Sequence, residues 1–139
     1  MWRMRNTSCD QVDLTVPESI TVITVVRNRH ESIAATLQSL REQTYESVQH
    51  VVIDGGSTDG TLDILRDNAD WIDVLVAEPD KGIYDALNKG IARATGDVVG
   101  LLHAGDVYAN NAVLADIARA MTTDPLDAVF GDVVFFDQD

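Results

Sequence analysis

Apolar residues in this sequence form short β-branched runs separated by stretches with helical spacing. Ile20 to Val26 is β-branched almost throughout, and further apolar runs follow at 48–53, 74–77, 97–102 and 128–136. Runs of this length and composition, bounded by Gly, Pro, Asn and Asp, are typical of β-strands. We therefore predict five strands, and we expect the first of them to be a central strand of the sheet.

Between these runs, apolar residues recur at the spacing that places side chains on one face of a helix. Four helices are predicted, and they carry Ile33, Leu37 and Leu40; Leu62, Ile64 and Leu65; Tyr84, Leu87, Ile91 and Ala94; and Val113, Leu114, Ile117 and Met121. Gly96 is expected to end the third helix with a left-handed cap. The alternation of strands and helices predicts an α/β fold, with a mostly parallel sheet and helices on both faces.

The first 19 residues differ from the rest of the chain. They mix polar, basic and aromatic residues without a period, and Pro17 closes the segment. We expect residues 1–19 to form a flexible leader and residues 20–139 to form one domain.

The composition is strongly acidic. The formal net charge is −13, with 23 Asp and Glu residues against ten Lys and Arg residues. A nucleic-acid surface needs a clustered basic face, so we expect no nucleic-acid partner. An acidic protein can bind phosphate groups through a divalent cation held by Asp, so a nucleotide ligand is compatible with this charge.

Nothing in the sequence indicates a membrane span or a secreted protein. No apolar run approaches the roughly 18 residues of a span, and the N-terminus lacks the apolar segment of a signal peptide. Cys9 is the single cysteine, so no internal disulfide can form. We expect a cytoplasmic protein, and peripheral membrane association stays open.

Two predicted strands end in sequences rich in Gly and Asp. One strand runs into D-G-G-S-T-D-G-T at 54–61, and the other runs into H-A-G-D at 103–106. Because parallel strands end at the same edge of a sheet, we expect Asp54, Asp59 and Asp106 to share one crevice. There, one carboxylate would accept hydrogen bonds from a nucleotide and another would hold a metal ion. Gly and Asp are also ordinary turn residues, so tight strand-to-helix turns explain the same sequences.

Other types of site lack support in the sequence. Neither G-x-G-x-x-G nor G-x-x-x-x-G-K-[ST] occurs, which disfavours a dinucleotide fingerprint and a P-loop. Ser57 lies outside a nucleophile elbow, and one cysteine without a close histidine pair makes no structural zinc site. His50 is expected at the surface and His30 in a loop or helix start, so only His103 falls in the candidate site. A receiver-type signalling domain is a weaker alternative, because no strand ends in the expected lone Asp with a paired Lys strand.

Four stretches of the chain, taken together, are more specific. They are I-T-V-I-T-V-V-R-N-R, V-V-I-D-G-G-S-T-D-G-T, E-P-D-K-G-I-Y-D-A-L-N-K-G-I and T-G-D-V-V-G-L-L-H-A-G-D, in this order. They resemble the amino-terminal, nucleotide-sugar-binding half of a family 2 glycosyltransferase of the Rossmann-like GT-A fold. The resemblance implies inverting transfer of a sugar from a nucleoside diphosphate sugar to an unknown sugar or lipid-linked acceptor, with Mg²⁺ or Mn²⁺ as cofactor. Such enzymes act in cell-surface polysaccharide or glycolipid biosynthesis.

The resemblance also implies roles for particular residues. The end of the first strand and the loop after the second would face the base and ribose, and the helix opening at 81–88 would line the donor pocket. The implied nucleotide-binding residues are Val26, Arg27, Asn28, Asp54, Gly55, Ser57, Asp59, Lys81, Asp85, Asn88, His103 and Ala104. Residues 103–106 would be the metal-binding "DXD" region, with Asp106 as the metal ligand. Arg27 or Lys81 is expected to help neutralise the donor diphosphate.

Two positions depart from the family pattern. Many members carry two adjacent Asp residues where this chain has Asp54-Gly55, so a contact of the second Asp with the base cannot be carried over. Many also carry acidic residues at the positions of His103 and Gly105, which leaves Asp106 as the one retained carboxylate. One carboxylate, two phosphate oxygens and water can still hold Mg²⁺.

The acceptor-binding region and the general base of this family come from sequence after the metal-binding strand, and this chain ends at Asp139. We therefore expect a truncated glycosyltransferase that binds its donor but transfers sugar poorly by itself. The catalytic base is left unassigned, because solvated strand ends explain Asp132 and Asp137 better than a base does. The alternative, from another class, is a non-catalytic nucleotide-binding module completed by a partner.

Overall fold

The fold was obtained as a computed structural model of the chain, and residues 1–3, 17–123 and 126–135 are described. The strands and helices, in chain order, are β1 (Trp2–Arg3), β2 (Ile20–Val26), α1 (Ile33–Arg41), β3 (Val48–Asp54), α2 (Thr61–Asp67), a 3₁₀-helix (Ala69–Trp71), β4 (Val74–Ala77), α3 (Ile83–Ile91), β5 (Val98–Leu101) and α4 (Val113–Thr123). None of the described helices has the length and apolar character needed to cross a membrane.

The strands form one sheet in the order β1-β5-β2-β3-β4. The central strand β2 pairs in parallel with β5 on one side and β3 on the other, and β3 pairs in parallel with β4. Only β1 runs antiparallel, at the edge beside β5. The predicted α/β fold with a mostly parallel, Rossmann-like sheet is confirmed.

The two faces of the sheet carry separate cores, because side chains alternate along each strand. On one face, Ile20, Val22 and Val26 of β2 pack against residues of α1, α2 and α4. On the other face, Ile23 packs in one cluster with Ala86 of α3. Helices therefore cover both faces, as predicted.

Helix α3 packs on the sheet through small residues. Ala86 and Gly90 are buried, whereas Tyr84 and Ile91 are exposed. A Cβ atom at Gly90 would lie 2.5 Å from Cγ2 of Ile23. The predicted helix is confirmed, but its larger apolar residues do not mark its buried face, because the small residues allow the closest approach.

Gly96 has a different role from the predicted left-handed cap. It is not among the described residues with positive φ. Its N–H donates to Oγ1 of Thr21 at 2.9 Å, and a Cβ atom at position 96 would lie 2.6 Å from the Thr21 nitrogen. A close approach of two backbones, rather than an unusual backbone conformation, therefore requires glycine here.

The chain termini also depart from the predictions. The first residues of the expected flexible leader form β1, which pairs with β5, and the N–H of Val129 donates to the carbonyl of Met1 at 3.1 Å. The rest of that leader, residues 4–16, lies outside the described residues. The strand predicted over 128–136 is wrong for its described part, because residues 128–135 contain a single bridged residue and no strand. β-Branched and aromatic residues form a strand only where another strand pairs with them.

His50 is buried rather than exposed, which corrects the expectation of a surface residue. Only 5% of it is exposed, and its Nε2 lies 3.0 Å from Oγ1 of Thr24. Burial lowers the pKa of the imidazole from 6.5 to about 4. His50 is therefore uncharged near pH 7.

Candidate functional site

The four parallel strands all end at one edge of the sheet, and the predicted site sequences follow directly there. Val26 at the end of β2 pairs with Asp54 at the end of β3, which in turn pairs with Ala77 at the end of β4. Beyond β5, the N–H of Ala104 still donates to the carbonyl of Val25 at 3.3 Å. Asp54 and Asp106 therefore do not lie at opposite edges of the sheet. None of Asp54, Asp59 and Asp106 lines the cleft described below, however, and Asp54 is fully buried.

The loops that follow β2 and β3 hold each other in place. Asp54 is fully buried, and its carboxylate accepts the N–H of Ser57 at 2.8 Å. The hydroxyl of Ser57 accepts the N–H of Asn28 at 2.9 Å, and the side-chain carbonyl of Asn28 accepts the N–H of Thr58 at 2.8 Å. Asn28 has a φ of 51°, a left-handed conformation that Asn tolerates. These hydrogen bonds therefore hold the loop after β2 and the loop after β3 together.

Asp59 braces the same two loops. Its Oδ1 accepts the N–H of Thr61 at 3.0 Å and the Thr61 hydroxyl at 2.5 Å, and its Oδ2 accepts the N–H of His30 at 3.1 Å. These hydrogen bonds, the Thr61 hydroxyl foremost, lower the pKa of the Asp59 carboxyl to about 2. Both carboxylate oxygens are thus engaged within the chain.

The Asp85 carboxylate likewise stabilises the start of α3. Its Oδ2 accepts the N–H of Lys81 at 3.1 Å and lies 3.3 Å from the Lys89 ammonium, which also contacts Glu78 at 2.9 Å. The Lys81 N–H, followed by Lys89, holds the pKa of the Asp85 carboxyl below its usual value. Asn88 is exposed further along α3 and does not line the cleft described next.

A cleft of about 270 Å³ opens at the carboxyl edge of the sheet. Its lining residues are Val25, Arg27, Arg29, Asp80, Gly82, Ile83, His103 and Ala104. The predicted residues Arg27, His103 and Ala104 are thus brought together. Val26 instead lies in the core with 2% exposure, and Val25 faces the cleft, because side chains alternate along β2.

Sequence reasoning missed Arg29 and Asp80 as lining residues. Arg29 lies two positions after Arg27 in R-N-R-H, a spacing that could have indicated a second cation. Asp80 lies in E-P-D-K-G, which indicated only the end of a strand, because nothing local shows that this loop folds over the loop after β3.

The cations of this region are not paired with carboxylates. Arg27, Arg29 and Lys81 are exposed, and none of them forms an ion pair within the described ranges. The chain as a whole has a net charge of −13. Unpaired cations at one edge of such an acidic protein make a local site for an anion.

The His103–Asp106 turn, which follows β5, presents an exposed carboxylate. The N–H of Asp106 donates to the carbonyl of His103 at 2.9 Å, and the N–H of Gly105 donates to the Thr36 hydroxyl at 3.0 Å. Gly105 has a φ of 105°, which favours glycine. The Asp106 side chain is exposed, and no described residue donates a hydrogen bond to it. No three His, Cys, Asp or Glu side chains in the described ranges could hold a metal ion together.

A larger groove of about 510 Å³ lies elsewhere, between α1 and the 3₁₀-helix. Its lining includes His50, Tyr45 and Trp71, and the Arg41 guanidinium stacks 4.1 Å from the centre of the Trp71 ring. None of the predicted site residues lines it. The smaller cleft is lined by Arg27, Arg29 and His103 and is therefore the better candidate site, although Lys81 and Asp106 do not line it.

A Rossmann-like sheet with a cleft lined by two arginines at its carboxyl edge is typical of α/β proteins that bind nucleotides. The sequence matches the model of glycosyl transferase family 2 over residues 21–139. The chain belongs to this family.

Relatives and solved structures agree with this membership. A PGL/p-HBAD biosynthesis glycosyltransferase of Mycobacterium bovis is 37% identical over 106 residues, which cover 73% of this chain and 41% of that protein. The mannosyltransferase PcManGT from Pyrobaculum calidifontis, in complex with GDP-Man and Mn²⁺, superimposes with a TM-score of 0.73 and 32% identity, covering 81% of this chain and 34% of its own. S. aureus TarS 1-349 in complex with UDP-GlcNAc gives a TM-score of 0.67 and 26% identity, covering 73% of this chain and 30% of its own. The chain spans about two fifths of the length of the curated relatives that it matches.

Proposed function

We propose that this chain is the donor-binding part of an inverting glycosyltransferase that takes a sugar from a nucleoside diphosphate sugar. The observation that carries the proposal is the cleft, where Arg27, Arg29 and His103 converge and where no described carboxylate pairs with the two arginines. Arginine side chains suit diphosphate oxygens because their N–H groups form charge-assisted hydrogen bonds. The complexes of similar proteins with GDP-Man and UDP-GlcNAc support this ligand class.

The predicted nucleotide-binding residues divide into two groups under this proposal. Arg27, Lys81 and His103 contact the ligand, since their side chains are not engaged by the described part of the chain. Asn28 and Asp59 position the loops on which the ligand lies, because their side-chain oxygens already accept hydrogen bonds. The family match supports nucleotide binding as such, and this division is our inference from the hydrogen bonds.

The residues present fit a divalent cation held in part by the ligand. Asp106 offers a free carboxylate, and the donor diphosphate and water would supply the remaining oxygens that Mg²⁺ or Mn²⁺ prefers. A bound cation would offset the charge that develops on the departing diphosphate. The complex of PcManGT with GDP-Man and Mn²⁺ supports this cofactor.

The acceptor and the general base belong to the whole protein rather than to the described cleft. In an inverting displacement, a base removes the proton of the acceptor hydroxyl as that oxygen attacks the anomeric carbon. We assign this role to no described residue: Asp132 is exposed outside the cleft, and Asp137 lies beyond the described residues. We therefore propose donor binding for this chain and weak transfer in the absence of further sequence. The name of the M. bovis relative supports a glycolipid or other lipid-linked acceptor, and with it a peripheral association with membranes.

Isothermal titration calorimetry tests the proposal directly. The chain is titrated with UDP, GDP, dTDP, CDP and ADP, each with and without Mn²⁺. We expect at least one of these nucleotides to bind, and to bind more tightly with Mn²⁺, because the cation joins the diphosphate to Asp106. A folded chain that binds none of the five nucleotides under either condition would contradict the proposal.

A further inference from the structure

The loop after β4 lies against the loop after β3, where the Asp80 side chain occupies the space beside Gly55. A Cβ atom at Gly55 would lie 2.1 Å from Oδ2 of Asp80 and 2.9 Å from its Cγ. Gly55 does not have a positive φ, so its backbone would accept any side chain. The obstacle is the Asp80 carboxylate, which occupies the space that a side chain at position 55 would need.

The Asp80 carboxylate is only half engaged. Its Oδ1 accepts the N–H of Gly82 at 3.0 Å, which fixes the direction of the group. Its Oδ2 accepts no hydrogen bond from any described residue, and no described cation forms an ion pair with Asp80. Because Asp80 also lines the 270 Å³ cleft, one oriented carboxylate oxygen is left available to a ligand there.

The other carboxylates near this part of the cleft are not available in the same way. Asp54 is fully buried and accepts the N–H of Ser57, and both oxygens of Asp59 accept hydrogen bonds within the chain. Asp106 lies in the turn after β5, where the proposed cation would be held. Asp80 is therefore the carboxylate in the cleft lining that can accept a hydrogen bond from the ligand's nucleoside.

We propose that Asp80 selects the base of the donor nucleotide by accepting a hydrogen bond from a ring N–H. This inference rests on the proposed function. Uracil, thymine and guanine carry such a ring N–H, whereas cytosine and adenine present a ring nitrogen lone pair at the corresponding position. A carboxylate attracts a ring N–H and repels a ring nitrogen lone pair. A site that accepts a hydrogen bond therefore discriminates strongly against ligands that lack the donor.

The first experiment compares Asp80→Asn with the unaltered chain, by calorimetry with Mn²⁺ and the same five nucleotides. We expect the unaltered chain to prefer UDP, GDP or dTDP over CDP and ADP. We expect Asp80→Asn to weaken the preferred nucleotide about tenfold or more, the size of one hydrogen bond to a charged group. Its affinity for inorganic pyrophosphate should not fall, because the variant only removes a negative charge from the cleft, whereas a distorted loop would weaken pyrophosphate binding as well. Asp67→Asn, at the far end of α2, is the control for the same change in charge.

A second experiment moves the carboxylate from position 80 to position 55. Asp80→Gly should lose the preference among bases, and the double variant Gly55→Asp/Asp80→Gly should regain it, because the carboxylate then occupies the same volume from the other loop. The N-methylated form of the preferred nucleotide, which lacks the ring N–H, should bind the unaltered chain as weakly as the parent nucleotide binds Asp80→Asn.

The outcomes separate this inference from the proposed function. If no nucleotide binds the unaltered chain, the proposed function itself fails. If a nucleotide binds but Asp80→Asn and Asp80→Gly keep its affinity and the preference among bases, only the role of Asp80 is wrong. If the N-methylated nucleotide binds as tightly as its parent, the ring N–H contributes no affinity, and base selection by Asp80 is refuted.

Discussion

At the residue scale, the aspartates of the carboxyl edge differ in what they already bind. The oxygens of Asp59 accept hydrogen bonds from His30 and Thr61, whereas the exposed Asp106 carboxylate accepts none from the described residues. A carboxylate that is engaged within the chain stabilises a loop, and one that is free can hold a cation. Asp106 is therefore the residue whose loss should affect metal-dependent binding most directly.

We expect Asp106→Asn to remove most of the Mn²⁺-dependent gain in nucleotide affinity, and His103→Ala to have a smaller effect. A hard cation prefers a charged oxygen over an imidazole, and His103 would contact the phosphate or the sugar instead. Calorimetry with and without Mn²⁺ measures both effects, with Asp67→Asn as the control for charge. The expectation fails if His103→Ala lowers the Mn²⁺-dependent gain more than Asp106→Asn does.

The buried imidazole of His50 should make stability depend on pH. Its pKa is about 4 in the folded chain and 6.5 when solvated, so between these values the unfolded chain binds a proton that the folded chain does not. Folding stability therefore rises with pH in this window and is lost as pH falls through it. From pH 7 to pH 5, we expect His50 to account for a loss of about 2 kcal/mol.

Urea denaturation of His50→Gln at these two pH values isolates this contribution. The variant should lose less stability between pH 7 and pH 5 than the unaltered chain, because glutamine does not titrate. An unaltered pH dependence in His50→Gln would show that the imidazole is not buried in its neutral form.

At the scale of whole elements, close backbone approach sets where the strands and helices lie. Gly96 precedes β5 and touches the backbone of β2, so a side chain at position 96 would push these strands apart. We expect Gly96→Ala to lower the free energy of unfolding by about 1–3 kcal/mol, as overpacking does. Gly131→Ala is the matched control, since a Cβ atom at position 131 would meet no atom within 4 Å. Equal urea midpoints for the two variants would contradict the close approach at Gly96.

At the scale of the whole molecule, the charge distribution determines where an anion can bind. We expect the double variant Arg27→Glu/Lys81→Glu to lower nucleotide affinity by about a hundredfold, since two favourable charge contacts become unfavourable. Arg66→Glu/Arg119→Glu makes the same change in net charge on α2 and α4, outside the cleft lining, and should have a much smaller effect. Equal losses of nucleotide affinity in the two double variants would show that the net charge of the chain, rather than the position of Arg27 and Lys81, determines that affinity.

Local patterns predicted most elements of this fold, although not β1 or the absence of a strand at 128–135. The β-branched run at Ile20–Val26 and the short run at Val74–Ala77 form strands with the predicted bounds, and the face with Ile33, Leu37 and Leu40 is buried in α1. The parallel sheet follows from the alternation of strands and helices, since parallel neighbours need a connection across the sheet. The position of the candidate site at the carboxyl edge follows from that topology.

Contacts between residues far apart in the sequence decided the properties that local patterns did not predict. The exposure of His50, the free oxygen of Asp80 and the glycine at position 96 each depend on a residue at least 20 positions away. The segment 128–135 shows the same effect, because its β-branched and aromatic residues find no neighbouring strand among the described residues. Periodicity along the chain therefore determined the elements and their order, whereas only the tertiary structure decided which side chains are buried, engaged or free, because those properties are set by neighbours that local sequence does not specify.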